Sequence, residues 1–146
     1  MKAIEKKREL TRLEELAELA KINIQNQLED NVIYSGKISD IYYEYGLYES
    51  VIVVCKLDLG DTKEKEVKVI YSFGGNYDIY YMEQLFSLLG IHSAQIDFQS
   101  IETVACCMQL LIGSDVRVIQ KTKLDGYKTY RIVGINSPQN GGVIND

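Results

Sequence analysis

The residues with the clearest chemical potential lie near the C-terminal end of the chain, where basic and aromatic side chains gather. Residues 113–135 carry five basic and two acidic side chains, whereas the whole chain has a formal net charge of −5. Cations pair with phosphates and aromatic rings stack on bases, so this combination is typical of a site for single-stranded nucleic acid. The candidate residues of this segment are Lys121, Lys123, Tyr127, Lys128, Tyr130 and Arg131.

Two residues from earlier in the chain extend this candidate site. Lys56 and Tyr71 lie on segments with strand-like alternation, and they would add a charge and a ring to the same surface. Tyr71 also shares a strand face with Val67 and Val69, so a core position is the alternative for its ring.

A second group of aromatic residues favours a different kind of partner. Glu44 and Glu49 stand within this group and oppose contact with phosphates. Tyrosine is also frequent among the residues that dominate protein interfaces, so a protein partner is the alternative here. The group lies in a predicted turn and comprises Tyr42, Tyr43, Tyr45 and Tyr48.

The sequence offers no set of residues for catalysis, metal binding or a cofactor. His92 stands alone, and Cys55, Cys106 and Cys107 lack the spacing of a zinc site. An odd number of cysteines fits reduced thiols in the cytoplasm better than a disulfide framework. No apolar run approaches the ~18 residues of a transmembrane helix. We therefore expect a cytoplasmic protein that is not an enzyme, binds no metal or cofactor and does not contact a membrane.

A long amphipathic helix is predicted at the N-terminus, over residues 3–29. A single helix gains most of its stability from packing its apolar face. The helix is therefore expected either to lie across the main domain or to pair with the same helix of another subunit, forming a homo-oligomer. Its apolar side chains recur every three or four residues, and they are Leu13, Leu16, Ala17, Ala20, Ile24 and Leu28.

The period of the apolar pattern changes from helical to strand-like at Val32. Two helices interrupt the strands, one from a predicted N-cap at Asp78 to Leu89 and one capped by Ser100 that ends at Gly113. The first helix is expected to bury Ile79, Met82, Leu85, Phe86 and Leu89. The predicted strands are Val32–Tyr43, Val51–Leu59, Val67–Phe73, Val116–Lys121 and Tyr127–Ile135.

This order predicts an α+β fold that is mostly β: a five-stranded antiparallel barrel of the oligonucleotide/oligosaccharide-binding (OB) type. Helices lie between its third and fourth strands, and the long helix precedes it. The expected organisation is an N-terminal helix over residues 1–31, the barrel over 32–135 and a flexible tail over 136–146. In such a barrel the second and third strands, with the loops before the second and after the fourth, form the binding groove.

The C-terminal half carries the pattern LLGI…DF…LIGSDVRVIQKT…GYKTYRIVGI, which runs from Leu88 to Ile135. The pattern resembles the small single-stranded-DNA-binding proteins of phage and mobile-element replication modules, over about residues 32–135. The chain departs from these proteins in its long N-terminal helix and in lacking a dense acidic tail. The resemblance implies an OB fold, DNA binding without enzymatic activity and frequent self-association. The DNA contacts that it implies are Lys121, Lys123, Tyr127, Lys128, Tyr130 and Arg131.

The expected function is therefore nonenzymatic binding of single-stranded DNA in the replication or recombination of a phage or mobile element. The alternative is a protein-binding inhibitor or adaptor carried by a mobile element, with a host nucleic-acid-binding protein as one target. The acidic middle of the chain supports this alternative, because residues 31–112 carry 11 acidic and five basic side chains.

Overall fold

A five-stranded antiparallel sheet forms the body of the protein, and its strands follow the alternation of apolar residues in the sequence. The computed structural model describes residues 11–25 and 27–136. The predicted flexible tail lies outside these residues except for Asn136, which ends the last strand. The strands are β1 (Ile33–Tyr45), β2 (Glu49–Gly60), β3 (Lys63–Phe73), β4 (Asp115–Thr122) and β5 (Lys128–Asn136).

The central strand β1 holds the sheet together, because it pairs with β2 on one side and with β4 on the other. Gly36 lies where the two pairings overlap, opposite Leu57 of β2 and Val116 of β4. A Cβ atom at Gly36 would collide with the backbone carbonyl of Lys56 and would lie 2.9 Å from the Cα atom of Leu57. Only glycine allows the two strands to approach this closely.

A bulge in β1 adjusts which of its side chains face the core. The register with β2 shifts between Ile38 and Asp40, so Ser39 is the extra residue. Ile38 and Ile41 are therefore both fully buried, although their spacing of three is incompatible with simple alternation.

The sheet runs in the order β3-β2-β1-β4-β5, so β3 and β5 are its two edges. The prediction of a mostly-β α+β fold with five antiparallel strands is confirmed. No ladder joins β3 to β5 in the part of the chain that the structure describes, and the sheet is not closed. The barrel closure expected from the order of elements is therefore not shown.

Two helices follow β3 and precede β4 along the chain, and they cover the core. They are α2 (Asp78–Leu89) and α3 (Ile101–Met108). Two short 3₁₀ turns, Gly90–Gln95 and Gln109–Leu111, follow them and add to the predicted helix count. As predicted, Ser100 caps α3, since its Oγ accepts a hydrogen bond of 3.1 Å from the Thr103 N–H. The helices bury Leu85, Leu88, Leu89, Ile101, Val104 and Met108 against the sheet.

The orientation of α2 differs from the prediction. Ile79 and Phe86 are 74% and 45% exposed instead of buried. The buried face carries Leu85, Leu88 and Leu89, because the apolar residues of this helix form two overlapping stripes and the sheet covers only one. The N-cap prediction was also wrong, since Tyr77 holds that position.

The Asp78 carboxylate serves another purpose at the start of α2. Its Oδ1 accepts hydrogen bonds from the Gly74 and Gly75 N–H groups, at 2.7 and 2.9 Å. The turn after β3 is thereby fixed to the first residue of α2.

The N-terminal helix α1 (Arg12–Gln25) is shorter than the predicted helix over residues 3–29, of which 3–10 and 26 lie outside the described residues. All described side chains of α1 are exposed, and Leu13 is 76% exposed. The predicted packing of the helix across the main domain is thus not seen. Pairing with another subunit stays a prediction, which light scattering of the chain would test.

Leu28 belongs to the core of the main domain, although it was predicted to continue the apolar face of the helix. The segment that contains it docks on β4 through Gln120. The Gln120 Nε2 donates to the Leu28 carbonyl at 3.1 Å and to the Asp30 Oδ1 at 2.9 Å. Thr122 adds two bonds to the same carboxylate, from its N–H and its hydroxyl.

None of the helices in the described part of the chain combines the length and apolarity that crossing a membrane requires.

Replacing Gly36 by alanine should lower the free energy of unfolding by about 1–3 kcal/mol, because the new methyl group collides with backbone atoms that cannot move independently. Gly46→Ala is the matched control, since no atom lies within 4 Å of a Cβ placed there. Urea denaturation of both variants measures the difference. Equal stability of the two variants would contradict the close approach of β1 and β2.

The stability contributed by Asp30 should depend on pH. Hydrogen bonds from the Gln120 and Thr122 side chains hold the pKa of the Asp30 carboxyl below its ordinary value of 3.8. This contribution is present above the unfolded-state pKa and is lost as pH falls through the lower folded-state pKa. The difference in unfolding free energy between the wild type and Asp30→Asn should therefore shrink below about pH 4. A difference that stays constant from pH 6 to about pH 3 would show that the Asp30 pKa is unshifted.

Candidate nucleic-acid interface

A cleft of about 880 Å³ runs along the open seam of the sheet, between the edges of β3 and β5. One wall is β3, from Glu66 to Ser72. The second wall is the hairpin that joins β4 to β5, together with the first four residues of β5. The third wall is one face of α2.

The lining of the cleft is mainly basic and aromatic. Among its described residues Glu66 is the one carboxylate. Interaction with Tyr42 and attraction by Glu44 and Glu66 raise the pKa of Lys68, which keeps this ammonium group charged. The basic residues of the lining are Lys68, Lys123, Lys128 and Arg131, and its tyrosines are Tyr71, Tyr77, Tyr80, Tyr81, Tyr127 and Tyr130.

The β4–β5 hairpin holds its side chains in place through its own backbone. The Lys123 N–H donates to the Tyr127 carbonyl at 2.8 Å, and the Gly126 N–H donates to the Lys123 carbonyl at 2.8 Å. Gly126 has a φ of 87°, a conformation that favours glycine. The Lys123 Nζ lies 5.8 Å from the centre of the Tyr127 ring, so charge and ring form one unit at the cleft mouth.

The tyrosines of the cleft differ in what they offer to a ligand. Tyr127 is 58% exposed, so much of its ring is open to solvent. Tyr130 is half-buried, and burial followed by the nearby Asp30 charge raises its pKa. Tyr71 is only 3% exposed, and burial raises its pKa above the ordinary range. Tyr71 therefore belongs to the floor of the cleft and has little ring surface for stacking.

The cleft brings together most of the residues that the sequence nominated. Tyr71 lies at the floor and two nominated lysines lie elsewhere. Lys56 stands on β2 opposite Glu66 of β3, and Lys121 stands on β4 opposite Thr129. Both are exposed, and neither lines the cleft. The nominated residues that line its walls are Lys123, Tyr127, Lys128, Tyr130 and Arg131.

Sequence reasoning missed the wall that α2 provides. Tyr77, Tyr80, Tyr81 and Gln84 all line the cleft. Their spacing of three, four and seven residues places them on one side of a helix, and this was the available signal. The apolar residues of the same segment instead predicted burial of the opposite side of the helix.

The second tyrosine group does not form a single surface. Tyr42, Tyr43 and Tyr45 lie on β1 and not in a turn, because β1 extends to Tyr45. Tyr42 points to the opposite face from Tyr43 and Tyr45, since successive residues of a strand alternate. The Lys68 Nζ lies 5.9 Å from the centre of the Tyr42 ring. Tyr48 packs under the turn after β3, where a Cβ at Gly75 would lie 3.1 Å from its ring.

Tyr45 connects the β1–β2 hairpin to α3. Its hydroxyl donates a hydrogen bond of 2.7 Å to the Glu102 Oε1, which raises the pKa of Tyr45 to about 12. Its ring makes an edge contact with Tyr43, at 5.5 Å between ring centres. The two rings remain partly exposed and form an aromatic patch separate from the cleft.

The cysteines show no arrangement for metal binding within the described residues, where no group of three His, Cys, Asp or Glu side chains is placed to hold an ion. All three cysteines are free thiols. Cys55 is buried, and burial raises its pKa to about 12. Cys106 is exposed and Cys107 is partly buried, so neither is fully buried by the helix that carries them.

No protein-family model matches this chain, and a comparison with curated proteins finds no similar sequence.

Proposed function

We propose that the protein binds single-stranded DNA without enzymatic activity, in the replication or recombination of a phage or mobile element. The cleft along the seam between β3 and β5 carries this proposal. It combines the basic side chains of Lys123, Lys128 and Arg131 with exposed tyrosine rings, which is the combination that holds a single strand. Phosphates would contact the cations, and bases would stack on the rings.

We also propose that the sheet is an OB-type barrel left open at this seam. The strand order supports the proposal, because β3 and β5 stand at opposite ends of the sheet and both line the same cleft. Barrels of this type are partly open, and they bind oligonucleotides near the second and third strands and the loop after the fourth. The cleft includes β3 and the β4–β5 hairpin, which are two of these parts.

The negative charge of the whole chain is compatible with a local site for a polyanion. Glu66 is the one carboxylate among the described residues that line the cleft, and at physiological ionic strength charges more than about 8 Å apart are largely screened. Positive charge therefore prevails along the β5 and hairpin side of the cleft, where a phosphate would meet Lys123, Lys128 and Arg131.

A second candidate function rests on the exposed patch at the β1–β2 hairpin. Tyr43 and Tyr45 are 41% and 58% exposed there, and Leu47 at its tip is almost fully exposed. Glu44 and Glu49 make this patch acidic, which suits a basic protein partner such as a host nucleic-acid-binding protein. This candidate is a protein-binding inhibitor or adaptor.

The triple variant Lys123→Ala/Lys128→Ala/Arg131→Ala should bind a thymidine oligonucleotide more weakly than the wild type. Its plot of log affinity against log salt concentration should lose about 2 from its slope, because each phosphate contact contributes about 0.7. Fluorescence titration of the tyrosines at several salt concentrations measures both quantities.

The matched control for this variant is Lys56→Ala/Lys63→Ala/Lys121→Ala, which removes as many charges from exposed positions outside the cleft. It should keep nearly the wild-type slope. Equal slopes for the two triple variants would remove the cleft from the proposal. No binding of the oligonucleotide by micromolar wild-type protein in low salt would reject DNA binding altogether.

The second candidate predicts that Tyr43→Ala/Leu47→Asp abolishes binding to a host protein and leaves oligonucleotide affinity unchanged. Both positions are exposed, so the fold should tolerate the changes. Affinity purification with the wild type and the variant side by side makes the comparison. Recovery of the same host proteins by both would count against this patch as an interface.

A further inference from the structure

The face of α2 that lines the cleft is aromatic and uncharged. It presents Tyr77, Tyr80, Tyr81 and Gln84. The acidic residues of the helix lie elsewhere: Asp78 accepts the hydrogen bonds of the turn after β3, and Glu83 is absent from the lining. This wall therefore offers ring faces and an amide, and it neither attracts nor repels a phosphate by charge.

Two of the three rings of this wall, Tyr80 and Tyr81, are held in place by edge contacts. Tyr81 is half-buried and makes an edge contact with Phe73 of β3, at 6.5 Å between ring centres. Tyr80 makes a similar contact with Tyr81, at 5.5 Å. The bonds from Gly74 and Gly75 to Asp78 fix the start of the helix to the end of β3. Tyr80 thus extends a chain of rings anchored in the core, and ordering these rings on binding costs little entropy.

The opposite walls carry the positive charge of the cleft. Lys128 and Arg131 lie on β5, and Lys123 stands over the Tyr127 ring at the hairpin. The Lys68 ammonium group of β3 instead lies over the Tyr42 ring, which is not part of the lining. The cleft is therefore asymmetric, with cations on its strand and hairpin side and neutral rings on its helix side.

We propose that a single strand lies in the seam with its bases directed toward α2 and its phosphates toward the β5 side. Tyr77 and Tyr80 then stack on bases, and Lys123, Lys128 and Arg131 contact the backbone. This inference rests on the proposed binding of single-stranded DNA and adds the path and orientation of the strand. A duplex is excluded from the path, because its bases are paired with each other and cannot reach the tyrosines.

Tyr77 and Tyr80 can be tested apart from the core, since they are 70% and 48% exposed. Tyr77→Ala/Tyr80→Ala should lower the affinity for a thymidine oligonucleotide by roughly tenfold or more, because each stacked base contributes that much. The slope of log affinity against log salt should stay at the wild-type value, because no phosphate contact is removed. Tyr77→Phe/Tyr80→Phe should restore the affinity, since phenylalanine keeps the ring.

Ile79→Ala is the matched control, because Ile79 is equally exposed on the opposite side of the same helix. It should bind like the wild type. Thermal unfolding of each variant separates loss of stacking from loss of structure. The single variant Tyr77→Ala removes only the more exposed of the two rings, so it is the change that disturbs the fold least. Photocrosslinking of the unaltered protein to an oligonucleotide that contains 5-iodouracil avoids substitution, and the crosslinked peptide should contain Tyr77 or Tyr80.

Four results would overturn the inference. If Tyr77→Ala/Tyr80→Ala binds like the wild type while Lys123→Ala/Lys128→Ala/Arg131→Ala binds weakly, the strand follows another path. The proposal of DNA binding then stands without the proposed path. Crosslinks confined to Tyr127 would place the bases on the hairpin wall instead of on α2. A reduced salt slope in the tyrosine variant would mean that α2 contacts phosphates instead of bases. A wild-type protein that binds no single strand at all would remove the proposed function and this inference together.

Discussion

The close approach of β1 and β2 at Gly36 is the constraint on which the rest of the architecture depends. At this residue β1 pairs with β2 and β4 at the same time. The sheet continues in opposite directions from this point, to β3 on one side and to β5 on the other. Strand twist then brings the two edges around a common core, and they line the same cleft. A side chain at Gly36 would force the strands apart at the position that sets this geometry.

Much of the sheet could be predicted from the sequence, because alternation of apolar residues in β3 reflects one buried face and the apolar run Val51–Cys55 reflects burial of β2 on both faces. The bulge at Ser39 could not, since one extra residue in a strand leaves no distinct mark in the pattern. It explains why both Ile38 and Ile41 enter the core. The tyrosines that follow are divided between two faces because they continue the strand, whereas the sequence suggested one loop.

The candidate site was predictable on one side only. The charges of Lys123, Lys128 and Arg131 stand out in an acidic chain, and a hairpin turn places them without help from distant residues. The helix wall depends on which side of α2 meets the sheet. Ile79 and Phe86 make the exposed side of α2 as apolar as its buried side. Which side is buried is decided only by the packing of the helix against β3. A local cluster of charges can thus be recognised in the sequence, whereas the opposite wall of the cleft depends on tertiary contacts.

The docking of residues 28–30 on β4 has a consequence for how the molecule can be shortened. Leu28 fills part of the core, and its carbonyl and the Asp30 carboxylate both accept from the buried Gln120 amide. A protein that started at Val32 would leave this amide without either acceptor, at about 1–3 kcal/mol for an unsatisfied buried group. It would also open a hole where the leucine had been. The autonomous folding unit therefore reaches back past the first strand, and its natural starting point lies at the end of α1.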